Sequence, residues 1–328
     1  MSLFDSFQVG KFNIKNRILV CPSSNHQADV RGVVSQSLFE NLLRLAKQGA
    51  GAIIIDSTYV CKQGRGHNMQ LGISEEEHVP GLRNMVRILK EDGAFIGLRL
   101  SHAGARTNTN ICGETPIGPS IHNLGKDFDA CREFDEHDAN EICTFFGHAA
   151  ERAQEADIDF IEINASQGSL LEQTISPAFN LRYDEYGGDI KNRMSLAVSI
   201  IKEIKRRVGS ELLLSFFFKN LLERDGFLSS LPDLKKLLKI LVAEKVDFIH
   251  PDLAHVLIKP TEDDEHDEPV LNTVAKNSQI DLIVEGNIKS TPVLKEVLGS
   301  NLGTFYCLDK SLYMRQNWYQ FLQKKISS

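Results

Sequence analysis

The chain has 328 residues, 42% of them hydrophobic and 25% charged, and carries a formal net charge of −7. That balance is ordinary for a globular enzyme, and the acidic excess argues against a nucleic-acid partner, which needs clustered cations. It suits a small-molecule substrate, with a homo-oligomer left open as the protein partner. Cys21, Cys61, Cys112, Cys131, Cys143 and Cys307 show no CxxC or other metal-ligand spacing, so neither a disulfide framework nor a metal site is expected. The opening MSLFDSFQVG has no basic start or cleavage site, and no run is apolar for long enough to cross a bilayer. The expectation is a cytoplasmic protein with no membrane partner.

A hairpin-like segment, residues 7–14, opens the chain. The apolar run 17–21 (RILVC) predicts a strand that stops at Pro22-Ser23-Ser24. Residues 35–47 place Leu38, Leu42, Leu43, Leu45 and Ala46 at helical spacing, with Ser35 as N-cap. Gly49 and Gly51 end that helix, and 52–56 (AIIID) reads as the second strand. A helix over 81–90 leads to a third strand, 94–100 (AFIGLRL), which runs into Ser101-His102-Ala103-Gly104. Residues 107–133, rich in Gly, Pro and Asn, are too long for a plain connection and predict a functional loop.

Helix 138–156 and strand 158–163 (IDFIEI) follow, then a polar excursion and helix 192–208. Strand 212–218 (LLLSFFF), helix 231–244 with Pro232 at its start, and strand 246–250 continue the pattern. An acidic loop, 261–268, precedes a short helix at 272–277. Strand 280–285, helix 291–298, strand 304–308 and helix 312–324 complete the chain. Strands alternating with helices imply a parallel sheet. Eight such units without a second zone of composition favour a closed (β/α)8 TIM barrel, a single domain over 1–328. An open doubly wound sheet would bring a glycine-rich first turn, and the chain has neither GxGxxG nor a P-loop.

Polar groups just past the C-terminal ends of barrel strands line the mouth. Asn164, Ser166, Gln167 and Ser169 follow the fourth strand in this way. Arg99 sits in the mouth by the same logic and needs an anionic partner, since a buried lone charge is costly. Asp56, Glu162 or an anionic ligand would each serve.

Several strings extend the reading: Ile14-Lys15-Asn16-Arg17, Gln63-Gly64-Arg65-Gly66, Leu71-Gly72-Ile73, His102-Ala103-Gly104 and Glu285-Gly286-Asn287-Ile288. The longest is Ser176-Pro177, Asn180, Arg182, Asp184-Glu185-Tyr186-Gly187-Gly188 and Asn192-Arg193. On these residues the chain resembles, over nearly all its length, the old yellow enzyme family of FMN-dependent oxidoreductases. The resemblance implies a flavin across the barrel mouth, NAD(P)H as its reductant and hydride transfer to an activated alkene. It implies cofactor contacts at Pro22, Ser23, Ser24, Ser57 and Arg99, with the phosphate end at Gly286, Asn287, Asp309 and Lys310. The substrate pair falls at Asn164 and Gln167, the proton donor's place at Ser169, and substrate or loop contacts at His26 and His102.

Departures from the family pattern are written into the same residues. Asn164 and Gln167 stand for a histidine pair or a histidine and asparagine; both amides donate to a carbonyl or nitro oxygen. Ser169 stands for a tyrosine, and a serine hydroxyl is a far poorer acid than a phenol with pKa near ~10, so water would supply the proton. Arg99 stands for glutamine, the run 216–218 for an arginine, and Asp309-Lys310 for Gly-Arg. These changes carry the alternative: a barrel that has lost flavin binding or turnover and serves as a binding or regulatory protein.

Overall fold

Eight short apolar runs pair edge to edge into a closed parallel barrel in the computed structural model, which describes residues 2–22, 27–219, 230–257, 259 and 268–326. The strands are β1 (Ile18–Val20), β2 (Ala52–Tyr59), β3 (Phe95–Ser101), β4 (Phe160–Ala165), β5 (Leu213–Lys219), β6 (Phe248–Asp252), β7 (Asp281–Val284) and β8 (Phe305–Leu308). Each pairs with its neighbours in sequence, and β8 closes on β1. Both faces of each strand are covered, which is why the runs are nearly continuous in apolar residues.

The surrounding helices are α1 (Gln36–Lys47), α2 (Val79–Glu91), α3 (Glu136–Glu155), α4 (Ser195–Val208), α5 (Leu231–Ala243), α6 (Val270–Ser278), α7 (Thr291–Ser300) and α8 (Trp318–Ile326). Local chemistry fixes their starts. The Ser35 hydroxyl accepts from Leu38 N–H at 3.2 Å, ahead of the buried stripe Leu38, Leu42, Leu45 and Ala46. Asp135 and Asp138 form a capping box on α3, and Pro232 lies in the first turn of α5. Among the described residues no helix is long and apolar enough to cross a membrane.

Side chains alternate between the barrel interior and the helix layer. Leu19, Ile54, Phe95, Phe160, Phe248, Ile283 and Phe305 point inward as an apolar floor. Phe95 and Phe160 stack with ring centroids 4.9 Å apart. A Cβ on Gly97 would fall 2.2 Å from the Phe160 ring, so only glycine admits that stack. The hairpin Phe7–Val9 with Phe12–Ile14 closes this end, Phe7 against Phe305 and Phe12 against Phe95. Two residues further along the strands, or four on β3 where Gly97 intervenes, the interior turns polar, at Cys21, Asp56, Arg99, Glu162, Ser215, His250, Glu285 and Cys307. Of the three phenylalanines of β5, Phe217 faces inward, against His250, while Phe216 and Phe218 pack in the barrel–helix layer.

Two expectations change in detail, and a third is not reached. The helix expected over 312–324 is two pieces, a turn at Lys310–Tyr313 and then α8, parted at Asn317 with φ +54°. The 107–133 loop carries a turn of helix at Thr109–Cys112 and a ladder of Ile117–Gly118 with Arg132–Glu133. The acidic loop over 261–268 lies, but for Glu268, outside the described residues. The Asp184–Gly188 string is a structural tie: Arg182 Nε donates to Asp184 at 2.9 Å and Nη1 to the Phe134 carbonyl at 2.7 Å, with the guanidinium over the Phe134 ring.

Candidate active site

A cavity of about 420 Å³ opens at the C-terminal ends of the strands. Its floor is part of the polar layer, at Cys21, Asp56, Arg99 and Glu285, and its walls are loop residues such as Gln70, Arg106 and Gln167. Arg99, 1% exposed, is gripped on two sides. Its Nε donates to Glu162 at 2.6 Å and its Nη1 to Asp56 at 2.7 Å, and its face lies 3.8 Å over the Phe217 ring. Both acids weighed from sequence as partners are engaged. Nη2 remains buried without a hydrogen-bond partner.

The same layer continues through Glu162, whose Oε1 accepts from Ser215 at 3.0 Å and lies 2.7 Å from His250 Nδ1. Burial opposes the charge on Glu162, but Arg99 and His250 outweigh it and bring the carboxyl down to about 2. Burial likewise opposes an imidazolium at His250, yet Glu162 and Glu285 lift it to about 9. At Asp56 burial wins over Arg99, and the carboxyl is raised above its ordinary range.

The end of β4 and the loop after it bring Asn164, Gln167 and Ser169 to the cavity wall, but with unequal freedom. Asn164 is buried; its Nδ2 donates to Ser101 Oγ at 3.1 Å and its Oδ1 accepts from Ser166 N–H at 3.0 Å. The Ser169 hydroxyl donates to the Asn164 carbonyl at 2.8 Å and caps the turn Leu170–Ile175, so its proton is committed inside the loop. Gln167, at φ +57°, is the exposed member. Ser57 also lines the cavity, at a bulge in β2 where its carbonyl accepts from Gln70 Nε2 at 2.7 Å.

Other expected positions lie elsewhere. His102 is buried behind the wall; its Nδ1 accepts from Gly104 N–H at 3.0 Å, and burial pushes its pKa down to about 4. It is a neutral brace between loops. Gly286, Asn287, Asp309 and Lys310 do not line the cavity. Asp309 Oδ1 instead accepts from Ser311 N–H at 2.9 Å, and its own N–H donates to the Ile288 carbonyl at 3.2 Å. Gly286, at φ +145°, lies against Val256, whose N–H donates to its carbonyl at 3.0 Å. Pro22 is buried beside the cavity floor at Cys21, while Ser23, Ser24 and His26 lie outside the described residues. The sequence reading did not place His250, Glu285, Cys307, Gln70 or Arg106 in the site. For the first three the signal was present, as polar or thiol side chains at inward positions of otherwise apolar strands.

Residues 2–306 match the family model described as the NADH:flavin oxidoreductase / NADH oxidase family. The chain is 28% identical over 328 residues to an NADH oxidase of Thermoanaerobacter brockii, covering 97% of this chain and 50% of that protein. It is 35% identical over 204 residues to an NADPH dehydrogenase of Geobacillus sp. strain WCH70, covering 62% of this chain and 59% of that protein. The chain thus spans about half to three-fifths of the length of these relatives. In fold it is similar to the old yellow enzyme homologue from Zymomonas mobilis, with TM-score 0.85, 22% identity, and coverage of 99% and 93% of the two chains. It is equally similar in fold to morphinone reductase in complex with tetrahydroNAD, with TM-score 0.85 at 19% identity over 99% and 91%.

Proposed function

The chain belongs to the NADH:flavin oxidoreductase / NADH oxidase family, and from that premise we propose an FMN-dependent oxidoreductase of old yellow enzyme type. Flavin reduced by NAD(P)H would pass hydride to an activated alkene or similar small-molecule acceptor. The curated relatives are described as an oxidase and a dehydrogenase, which gives no support to the alternative of a barrel without turnover. We place the activity in a single cytoplasmic domain spanning 1–328, with a homo-oligomer as its one open protein partner.

The observation that carries this reading at residue level is Arg99 Nη2, a buried donor without a partner in a residue lining the mouth. A flavin carbonyl answers such a donor, and the cavity has the volume of an ordinary cofactor pocket. The phosphate end fits less readily, because Asp309 N–H is already bonded to the Ile288 carbonyl and Ser311 N–H to Asp309 Oδ1. Lys310 is the cation nearest in sequence that would balance a phosphate there.

When bound, FMN supplies the redox chemistry. Asp56 and Glu162 hold the Arg99 fork in one orientation, so its remaining donor is preorganised and needs no rearrangement on binding. The Gln167 amide, exposed on the cavity wall, is the group available to orient an acceptor oxygen, with Asn164 bracing the loop behind it. With the Ser169 proton committed to Asn164, the open mouth admits water as the proton source.

The test is the visible spectrum of the purified protein after gel filtration, followed by FMN titration. Flavin bands that co-elute with the protein are the expected result; a colourless protein that takes up no FMN returns the alternative. Arg99→Lys keeps a cation for Asp56 and Glu162 but loses the free Nη2. It is expected to weaken FMN binding about tenfold or more, the worth of one charged hydrogen bond.

A further inference from the structure

We propose that His250, Glu285 and Cys307 form a mononuclear transition-metal site, of zinc type, set into the polar floor of the mouth cavity. The three residues occupy inward positions at the C-terminal ends of β6, β7 and β8, which are neighbours in the barrel. One imidazole nitrogen, one carboxylate oxygen and one thiol sulfur lie within 4.8 Å of one another. That N/O/S donor set suits zinc and its spectroscopic substitute cobalt.

The arrangement of His250 points the same way. Its Nδ1 is 2.7 Å from Glu162, so a carboxylate fixes the ring from behind and turns Nε2 toward Glu285 and Cys307. This is the relay in which a metal-bound histidine donates its other N–H to an acid. Nε2 and Glu285 Oε2 are 2.7 Å apart, an ion pair that brings two of the ligand atoms together at the cavity floor. At zinc bond lengths a tetrahedral pair of N and O ligands stands about 3.4 Å apart. Glu285, whose side chain is 30% exposed, has room on the cavity side to retreat by that difference.

Charge supports the site as well. Asp56, Glu162 and Glu285 crowd around one permanent cation, Arg99, and burying unbalanced carboxylates is costly. Without metal, a proton on His250 adds one positive charge beside a neutral thiol. A divalent ion with neutral His250 and the Cys307 thiolate adds the same single charge, releasing two protons. The exchange therefore leaves the interior no worse balanced. Glu285 also lines the cavity, so the fourth coordination position opens to water or to a ligand in the mouth.

The inference does not rest on flavin binding, and its test reads the metal directly. Full-length protein stripped with chelator is titrated with Co²⁺ and desalted. The expected result is one retained equivalent, with visible bands of tetrahedral cobalt and a sulfur-to-cobalt charge-transfer band, displaced by Zn²⁺. Cys307→Ser is expected to lose the charge-transfer band, and Glu162→Gln to weaken binding about 10–100-fold as a loss of the histidine's support. Zinc-edge absorption of the unmutated protein needs no variant to fold, and is expected to show one sulfur at about 2.3 Å among nitrogen and oxygen neighbours. No cobalt retained, a charge-transfer band that survives Cys307→Ser, or a sulfur-free zinc shell would each overturn the proposal.

Discussion

His102 shows how far a motif match can mislead about charge. The histidine of the His-Ala-Gly turn is the ordinary choice for a titrating contact, since its unperturbed pKa lies near neutrality. Enclosed by protein, it titrates at about 4 and stays neutral over the working range. Its folded pKa is below the unfolded value, so its contribution to stability is whole above pH ~6.5 and drains away as pH falls toward 4. The shift corresponds to roughly 3 kcal/mol at its limit. Urea denaturation of His102→Asn, which keeps an acceptor for Gly104 N–H, is expected to show a shallower acid loss than the unmutated protein between neutrality and pH ~4.5. Equal slopes would mean that other groups govern the acid limb.

Arg99 and His250 differ in how they could be read from the sequence. Arg99 sits at an inward position of an apolar strand, and the cost of burying its charge called for an anionic partner, with Asp56, Glu162 and an anionic ligand left open. His250, Glu285 and Cys307 stand one strand–helix–strand unit apart from each other, a separation set by the fold. No local spacing of ligands exists to be recognised, and only strand adjacency gathers them.

At the scale of elements, beginnings were more legible than breaks. Ser35 and Pro232 mark helix starts by chemistry that is visible in one residue. The split between Lys310–Tyr313 and α8 hangs on Asn317 in the left-handed region, which asparagine tolerates without a glycine or proline to announce it. Ser169 is likewise best understood through its element. Its hydroxyl ties the end of β4 to the turn Leu170–Ile175. Ser169→Ala is expected to cost about 1 kcal/mol in thermal or denaturant unfolding, the usual value of a lost cap. An unaltered midpoint would show the tie to be dispensable.

The barrel's closed shape followed from counting alternating units, because eight strands covered on both faces leave few other arrangements. Its internal layering follows from period two within each strand, and Gly97 is the residue that lets the floor stack. Gly97→Ala drives a methyl into the Phe160 ring, and calorimetry is expected to show a loss of about 1–3 kcal/mol with the strand order intact. A neutral result would require the floor rings to have slack. What the sequence left hidden was the depth at which polar layer meets cavity, since that depends on how far each strand slides against the next.

Among the described residues, the aromatic floor and its hairpin lid stop the barrel at one end, and the cavity opens at the other. Ions, protons and water reach the charged belt from Arg99 to Glu285 through that cavity. A ligand lying across it would act as a stopper and slow exchange between the interior and solvent.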